Sequence, residues 1–186
     1  SRMRGDILLL FQAMFLFAVS VPQVLFCLFL LCFASSTARA DTLLDHLSRY
    51  EGVWIGQFTI HSTATGYTES FPVQQRYWWE GDQLHGLAVS QRDSGMENAT
   101  SITYMKAGKL ISEVTRGEMK DSYIGVLNKD GLLWLPSKMS RATDYQIFES
   151  FVPVEGGPDK LMTEGFDTYV YSGGLAHIVY KGELIR

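Results

Sequence analysis

The sequence is poor in cysteine, and its two cysteines, Cys27 and Cys32, both lie in the first 40 residues. Residues 41–186 therefore have neither a disulfide nor a thiolate metal ligand. They also lack any run of basic side chains. Their 13 basic and 19 acidic residues give a net charge of −6. This balance argues against a nucleic-acid partner and against binding to an anionic membrane surface. Without cross-links, residues 41–186 must be held together by a hydrophobic core, which is feasible at this length.

The first 40 residues differ in composition from the rest of the chain. Two arginines precede an apolar stretch over residues 7–34, and Ala38-Arg39-Ala40 matches the A-x-A pattern of signal-peptidase sites. We therefore predict a signal peptide over residues 1–40, cleaved before Asp41, and a secreted or periplasmic domain over residues 41–186. The apolar stretch is longer than a usual signal sequence, which leaves open a downstream methionine start or an uncleaved membrane anchor.

The hydrophobic periodicity of residues 41–186 changes once, from helical to alternating. Residues 41–50 carry leucines at helical spacing and end just before Gly52, which predicts a short helix. Alternating strands separated by tight turns are predicted at about 52–62, 68–80, 83–92, 99–106, 109–117, 121–128, 131–136, 143–152, 161–171 and 175–185.

No segment offers the crossover helices of a parallel sheet, so the strands should form an antiparallel meander. We predict an all-β fold, a single up-and-down barrel of about ten strands, because closure removes exposed sheet edges. A two-layer sandwich is the alternative.

Aromatic side chains are concentrated in this domain, which holds all four tryptophans and all nine tyrosines. Large rings can line a barrel cavity, although any single ring can equally pack a filled core. Alternation places Tyr77 and Trp79 on one face of their strand, with Trp78 on the opposite face. We predict a cavity for a small apolar molecule, lined by the rings of Phe58, Tyr77, Trp79 and Tyr104.

Two charged side chains share strand faces with apolar residues, where an unpaired charge would be costly to bury. Arg116 lies on the face of Leu110 and Val114, and Glu164 lies on the face of Met162 and Phe166. If both faces point inward, Arg116 and Glu164 either orient a ligand's polar group or form a structural ion pair at the rim.

The first predicted strand, Gly52-Val53-Trp54-Ile55-Gly56, resembles the Gly-x-Trp opening of lipocalins and the wider calycin group. The domain is most similar to uncharacterised secreted bacterial calycin-like domains. The resemblance implies an up-and-down barrel that binds a ligand without chemistry, with Trp54 plugging its closed end. Lipocalins often carry a disulfide, which residues 41–186 cannot form, and the last strand lacks the Arg-x-Tyr clamp of fatty-acid-binding barrels.

A weaker resemblance connects Gly52, Trp54 and Gly56 with the opening of nitrobindin-type haem barrels, in which a histidine near the C-terminus ligates haem. His177 is in a similar place. Strand alternation argues against haem here, because it puts His177 on the polar face of the last strand.

No catalytic or metal-binding motif is present. The domain has four scattered histidines without metal spacing, and it contains no G-x-S-x-G elbow, P-loop or dinucleotide fingerprint. We therefore predict a non-enzymatic binding protein without a cofactor. The alternatives are an interaction or envelope-associated barrel with a filled interior, and an enzyme that uses the same cavity. The sequon at Asn98 would matter only in a eukaryotic secretory pathway.

Overall fold

The computed structural model describes residues 42–141 and 143–186. The predicted signal peptide and its cleavage site lie outside these residues. A short helix, α1, covers residues 42–48, and a 3-10 helix covers Met139–Arg141. Ten strands make up the rest of the regular structure: β1 Gly52–Ser62, β2 Thr68–Glu80, β3 Gln83–Arg92, β4 Gly95–Lys106, β5 Lys109–Arg116, β6 Met119–Leu127, β7 Leu132–Pro136, β8 Tyr145–Val152, β9 Lys160–Tyr171 and β10 Gly174–Ile185.

The strands form one closed antiparallel barrel in which each strand pairs with its neighbours along the chain. Closure comes from β1 and β10, whose pairing runs from Ile55 opposite Ile185 to Ser62 opposite Ile178. The predicted all-β barrel with a short N-terminal helix is therefore confirmed, and the two-layer sandwich is wrong. Among the described residues, every helix is too short or too polar to span a bilayer.

Tight turns set the register of the hairpins. The turn between β4 and β5 consists of Ala107 and Gly108, with φ angles of 49° and 72°. Two consecutive positive φ angles suit the right-handed twist of a two-residue hairpin, and glycine adopts them without a steric penalty. Ala107 has a Cβ atom, so this turn carries local backbone strain.

One end of the barrel is closed by leucines. The odd-numbered strands all start at this end, and β10 finishes there. Five leucines near these strand ends are at most 3% exposed, namely Leu84, Leu110, Leu132, Leu161 and Leu184. Trp54, near the start of β1, is 1% exposed and donates a hydrogen bond from Nε1 to the Tyr50 carbonyl oxygen at 2.6 Å. The guanidinium of Arg186 lies 4.7 Å from the centre of the Trp54 ring. The closed end is therefore a small hydrophobic core.

Glycines on the inner face make room for aromatic rings. A Cβ atom at Gly182 would lie 2.6 Å from the ring of Phe58, and one at Gly86 would lie 2.9 Å from the ring of Tyr77. Both distances are far below van der Waals contact, so these rings can lie against the wall only because the facing residue has no side chain. This arrangement leaves space along the barrel axis.

Candidate functional site

The interior of the barrel contains two adjoining chambers. The inner chamber, on the side of Leu47 and Tyr50, has a volume of about 210 Å³. The outer chamber, bordered by Phe58, Phe71 and Arg92, has a volume of about 540 Å³. The residues that line both chambers are Gln75, Ala88, Ala99, Tyr145, Ile147 and Glu149. The alternative interpretation expects a filled interior, whereas the described residues leave these two cavities.

Small side chains keep the two chambers in contact. Ala88 of β3 lies opposite Gln75 of β2 and opposite Ala99 of β4, so the three residues form a row across the inner wall. Two alanines in this row leave a passage that longer side chains would block.

Glu149 of β8 is the acidic group at the boundary of the chambers. Its Oε2 accepts a hydrogen bond from the Tyr50 hydroxyl at 2.9 Å and another from Trp134 Nε1 at 2.8 Å. Burial raises the pKa of Glu149, and these two hydrogen bonds only partly oppose that shift. A carboxyl group held by neutral donors in a cavity is a typical binding or catalytic group.

Aromatic rings surround this carboxyl group. The rings of Tyr50 and Tyr77 meet edge to face at 5.4 Å, and Tyr50 also meets Phe151 at 4.9 Å. The Tyr77 hydroxyl donates a hydrogen bond to Gln75 Oε1 at 3.1 Å. Burial raises the pKa of both Tyr50 and Tyr77, and the charge of Glu149 raises both further. Both phenols therefore stay neutral and act as hydrogen-bonding groups.

The outer chamber ends in a charged mouth. Arg92, the last residue of β3, pairs with Glu69 at 2.5 Å and lies 4.8 Å from the centre of the Phe71 ring. Glu69 Oε1 also accepts a hydrogen bond from the Asp93 backbone N–H at 2.9 Å. The hydrogen bonds from Arg92 and from the Asp93 backbone lower the pKa of Glu69 to about 2. Glu69 is thus a fixed anion that is already paired.

The predicted lining residues divide between the two faces of the sheet. Phe58 lines the outer chamber and Tyr77 lines the inner one. Trp79 shares the inward face of Tyr77, as its pairing with Leu84 requires, but it lies at the closed end beyond both chambers. Arg116 lines the outer chamber at the mouth, half exposed, and pairs with Asp121 at 3.3 Å.

Tyr104 and Glu164 do not face the interior, so their predicted placement is wrong. In β4 the inward residue is Thr103, which donates to Ser112 at 3.0 Å, and Tyr104 points outward to donate to Glu113 at 2.7 Å. In β9 the residues that line the chamber are Thr163 and Asp167.

The reason for the error in β9 is its composition. Apolar residues at Met162 and Phe166 made the outer face of β9 resemble a core-facing one, and alternation gives the spacing of a face but not its direction. Glu164 lies on that outer face and does not pair with Arg116.

The most prominent site residue, Glu149, was missed by sequence reasoning. Alternation places Phe148 on one face of this strand and Glu149 with Phe151 on the other. Because both faces carry a large ring, the sequence pattern does not show which face points inward. Tyr50 and Trp134 were also missed, because their role depends on reaching Glu149 across the fold. The available signal was a lone acidic residue in the middle of an apolar strand.

His177 lies on the outer face of β10, as alternation predicts. Its Nδ1 is 3.0 Å from the Thr168 hydroxyl, and its ring meets Phe166 edge to face at 5.5 Å. His61 and His85 also lie on the outer face, each paired in register with an outward residue. These positions do not fit a haem ligand inside the barrel. Within the described residues, no three acidic, histidine or cysteine side chains are grouped as a metal site would need.

Neither a protein-family model nor a curated protein matches the chain. The closed ten-strand antiparallel barrel fits a lipocalin-like or calycin-like fold, and this likeness concerns the fold alone.

Proposed function

We propose that the barrel binds a small, largely apolar molecule in its two chambers and releases it unchanged. The observation that carries this proposal is the pair of adjoining cavities, about 210 and 540 Å³, inside a barrel closed at one end. Known small-molecule sites are concave, mostly apolar cavities of about 300–1,000 Å³ with a few fixed polar groups. The outer chamber falls within that range.

The walls of the outer chamber supply apolar surface together with polar groups at its mouth. Phe58, Phe71 and Ile178 contribute apolar area that a ligand would remove from water, while Arg92 and Arg116 lie where it would enter. Burial of apolar ligand surface would supply most of the binding free energy, and the polar groups would fix orientation.

The proposal includes export of the barrel domain from the cytoplasm. A signal peptide over residues 1–40 would place the barrel in the periplasm or outside the cell, where a carrier or scavenger of apolar molecules meets its ligand. Retention of that segment would instead tether the barrel to a membrane. The N-terminal sequence supports export through its apolar stretch and its A-x-A pattern.

A direct test uses native mass spectrometry and a neutral ligand. The chain, expressed from its full sequence and purified as the cell processes it, should carry a co-purified small molecule, or should bind octan-1-ol saturably in a calorimetric titration. If there is neither a bound molecule nor saturable binding, the proposal is wrong.

A matched pair of variants locates the binding. Ala88→Phe puts a ring into the passage between the chambers and should weaken octan-1-ol binding at least about tenfold, by the loss of about 1.4 kcal/mol of contacts. Val89→Phe adds a ring on the opposite face of the same strand and should leave binding unchanged. Equal affinity of the two variants would show that octan-1-ol does not bind in the chambers.

A further inference from the structure

The inner chamber has charge of only one sign. Among the described residues that line it, Glu149 is the single acidic side chain and none is lysine, arginine or histidine. The arginines of the mouth border the outer chamber instead. A buried carboxylate without a cation is costly unless a partner supplies the opposite charge. The inner chamber is therefore built to favour a positive group.

Hydrogen bonding at Glu149 leaves an acceptor for such a partner. Both donors, Tyr50 and Trp134, reach the same oxygen, Oε2. Within the described part of the chain, no donor reaches Oε1. Thr163, directly opposite Glu149 on β9, is 4% exposed, and its Oγ1 has no hydrogen-bond partner among the described residues. Glu149 Oε1 is thus the acceptor atom that remains for a partner, and the buried Thr163 hydroxyl beside it belongs to the wall of the outer chamber.

The surrounding rings favour the same partner. Tyr50, Tyr77 and Trp134 all line the inner chamber together with Glu149. The face of an aromatic ring attracts a cation within about 6 Å, and the attraction grows when water is excluded. Burial raises the pKa of Glu149, and a bound cation would oppose that shift by stabilising the carboxylate. Rings and a carboxylate together are suited to an ammonium group, which donates several hydrogen bonds and carries the missing charge.

We propose that the inner chamber binds the ammonium group of an amphiphilic primary amine, whose apolar tail occupies the outer chamber. The proposal rests on the proposed function and adds the chemical class of the ligand. The inner chamber, about 210 Å³, is smaller than a whole small-molecule site and suits a head group, whereas the outer chamber, about 540 Å³, suits an alkyl or aryl tail. A carboxylate head would be repelled by Glu149, and an alcohol would leave its charge unbalanced.

The test compares three ligands with the same tail and different heads: octylamine, octan-1-ol and octanoate. Each is titrated into the purified protein at neutral pH by calorimetry. A hydrogen bond to a charged group contributes about 1.5–3 kcal/mol, so octylamine should bind about 10–100-fold more tightly than octan-1-ol. Octanoate should bind most weakly. This comparison uses the unmodified protein, so it does not depend on any variant folding.

Two variants then assign the preference to Glu149. Glu149→Gln keeps an acceptor for Tyr50 and Trp134 but removes the charge, so the preference for octylamine over octan-1-ol, with both ligands measured on this variant, should disappear. Glu113→Gln makes the same change on the outer face, where Glu113 accepts a hydrogen bond from the hydroxyl of Tyr104, and should leave the preference intact. Thermal unfolding of each variant checks that it is folded.

The outcomes separate this inference from the proposed function. Equal affinity for octylamine and octan-1-ol, or a preference that survives Glu149→Gln, would overturn the amine proposal and leave the binding barrel in place. If none of the three ligands binds and no small molecule co-purifies, both proposals are wrong.

Discussion

Replacing Trp54 with alanine should destabilise the barrel strongly, because this side chain packs the closed end. Trp54 is 1% exposed, so nearly all of its ring area is removed from water on folding. A ring that buries about 150–250 Å² contributes about 4–6 kcal/mol at about 25 cal/mol per Å². Since unfolded chains already bury part of this area, the measured loss should be about 3–5 kcal/mol, the usual range for such a substitution in a core.

Two further contacts disappear with the ring. The Tyr50 carbonyl oxygen loses the N–H donor at 2.6 Å, and the guanidinium of Arg186 loses the ring beneath it. Loss of an intramolecular hydrogen bond costs about 0.5–1.5 kcal/mol, which favours the upper part of the estimate. For a domain of this size the loss corresponds to a fall in Tm of about 10–15 °C.

The assay is thermal and urea unfolding of the purified chain, followed by circular dichroism. Trp78→Ala is the matched control, because Trp78 lies on the outer face, where its Nε1 donates to the exposed Glu80 at 2.7 Å and its ring stacks on His85. This control should lose only about 1 kcal/mol. A Trp54→Ala protein that unfolds within about 3 °C of the parent, or no earlier than the Trp78→Ala protein, would refute the packing described for the closed end.

Three other predictions concern buried acids and a strained turn. The pKa of Glu69 lies at about 2 in the folded barrel, below its usual 4.5, so its stabilisation is complete above about pH 4.5 and is lost as pH falls through about 2. Unfolding free energies measured over this range should decline, and Glu69→Gln should flatten that decline. The pKa of Glu149 is raised in the folded barrel, so the unfolded chain loses this proton more readily and the free energy of unfolding falls as pH increases above the usual 4.5. Glu149→Gln removes this effect and should raise Tm at neutral pH but not in acid. Ala107→Asn puts a residue that tolerates positive φ before Gly108 and should stabilise the protein by about 0.5–1 kcal/mol in urea unfolding, whereas Ala107→Val should destabilise it.

The two acids, Glu69 and Glu149, have pKa values shifted in opposite directions, and this difference separates a group that is paired within the protein from the group that we propose pairs with a ligand. Glu69 is held by a guanidinium and a backbone N–H, so its charge is balanced within the protein. Among the described residues, the donors to Glu149 are the neutral groups of Tyr50 and Trp134, so its charge reduces stability unless a ligand balances it. Binding sites commonly carry such locally unfavourable groups, because the arrangement that serves the ligand differs from the one that is most stable.

Much of the fold could be predicted because its signals are local. Tight turns around Gly81 and Gly108 and the alternation between them located each strand within a few residues of its observed bounds. The candidate site was predicted only in part. Phe58 and Tyr77 face the chambers, but Tyr104 faces outward, because alternation fixes which residues share a face and leaves its direction open.

The sequence by itself determined the order of the strands and their antiparallel pairing, since both follow from neighbouring residues and short connections. Only the tertiary structure decided which face of each strand points inward and which distant side chains meet. Glu149, Tyr50 and Trp134 come from three separate elements, and their hydrogen bonds exist only once β1 has paired with β10 and closed the barrel. Closure joins the two ends of the sheet, so the inner surface that it creates is a property of the whole barrel rather than of any single strand.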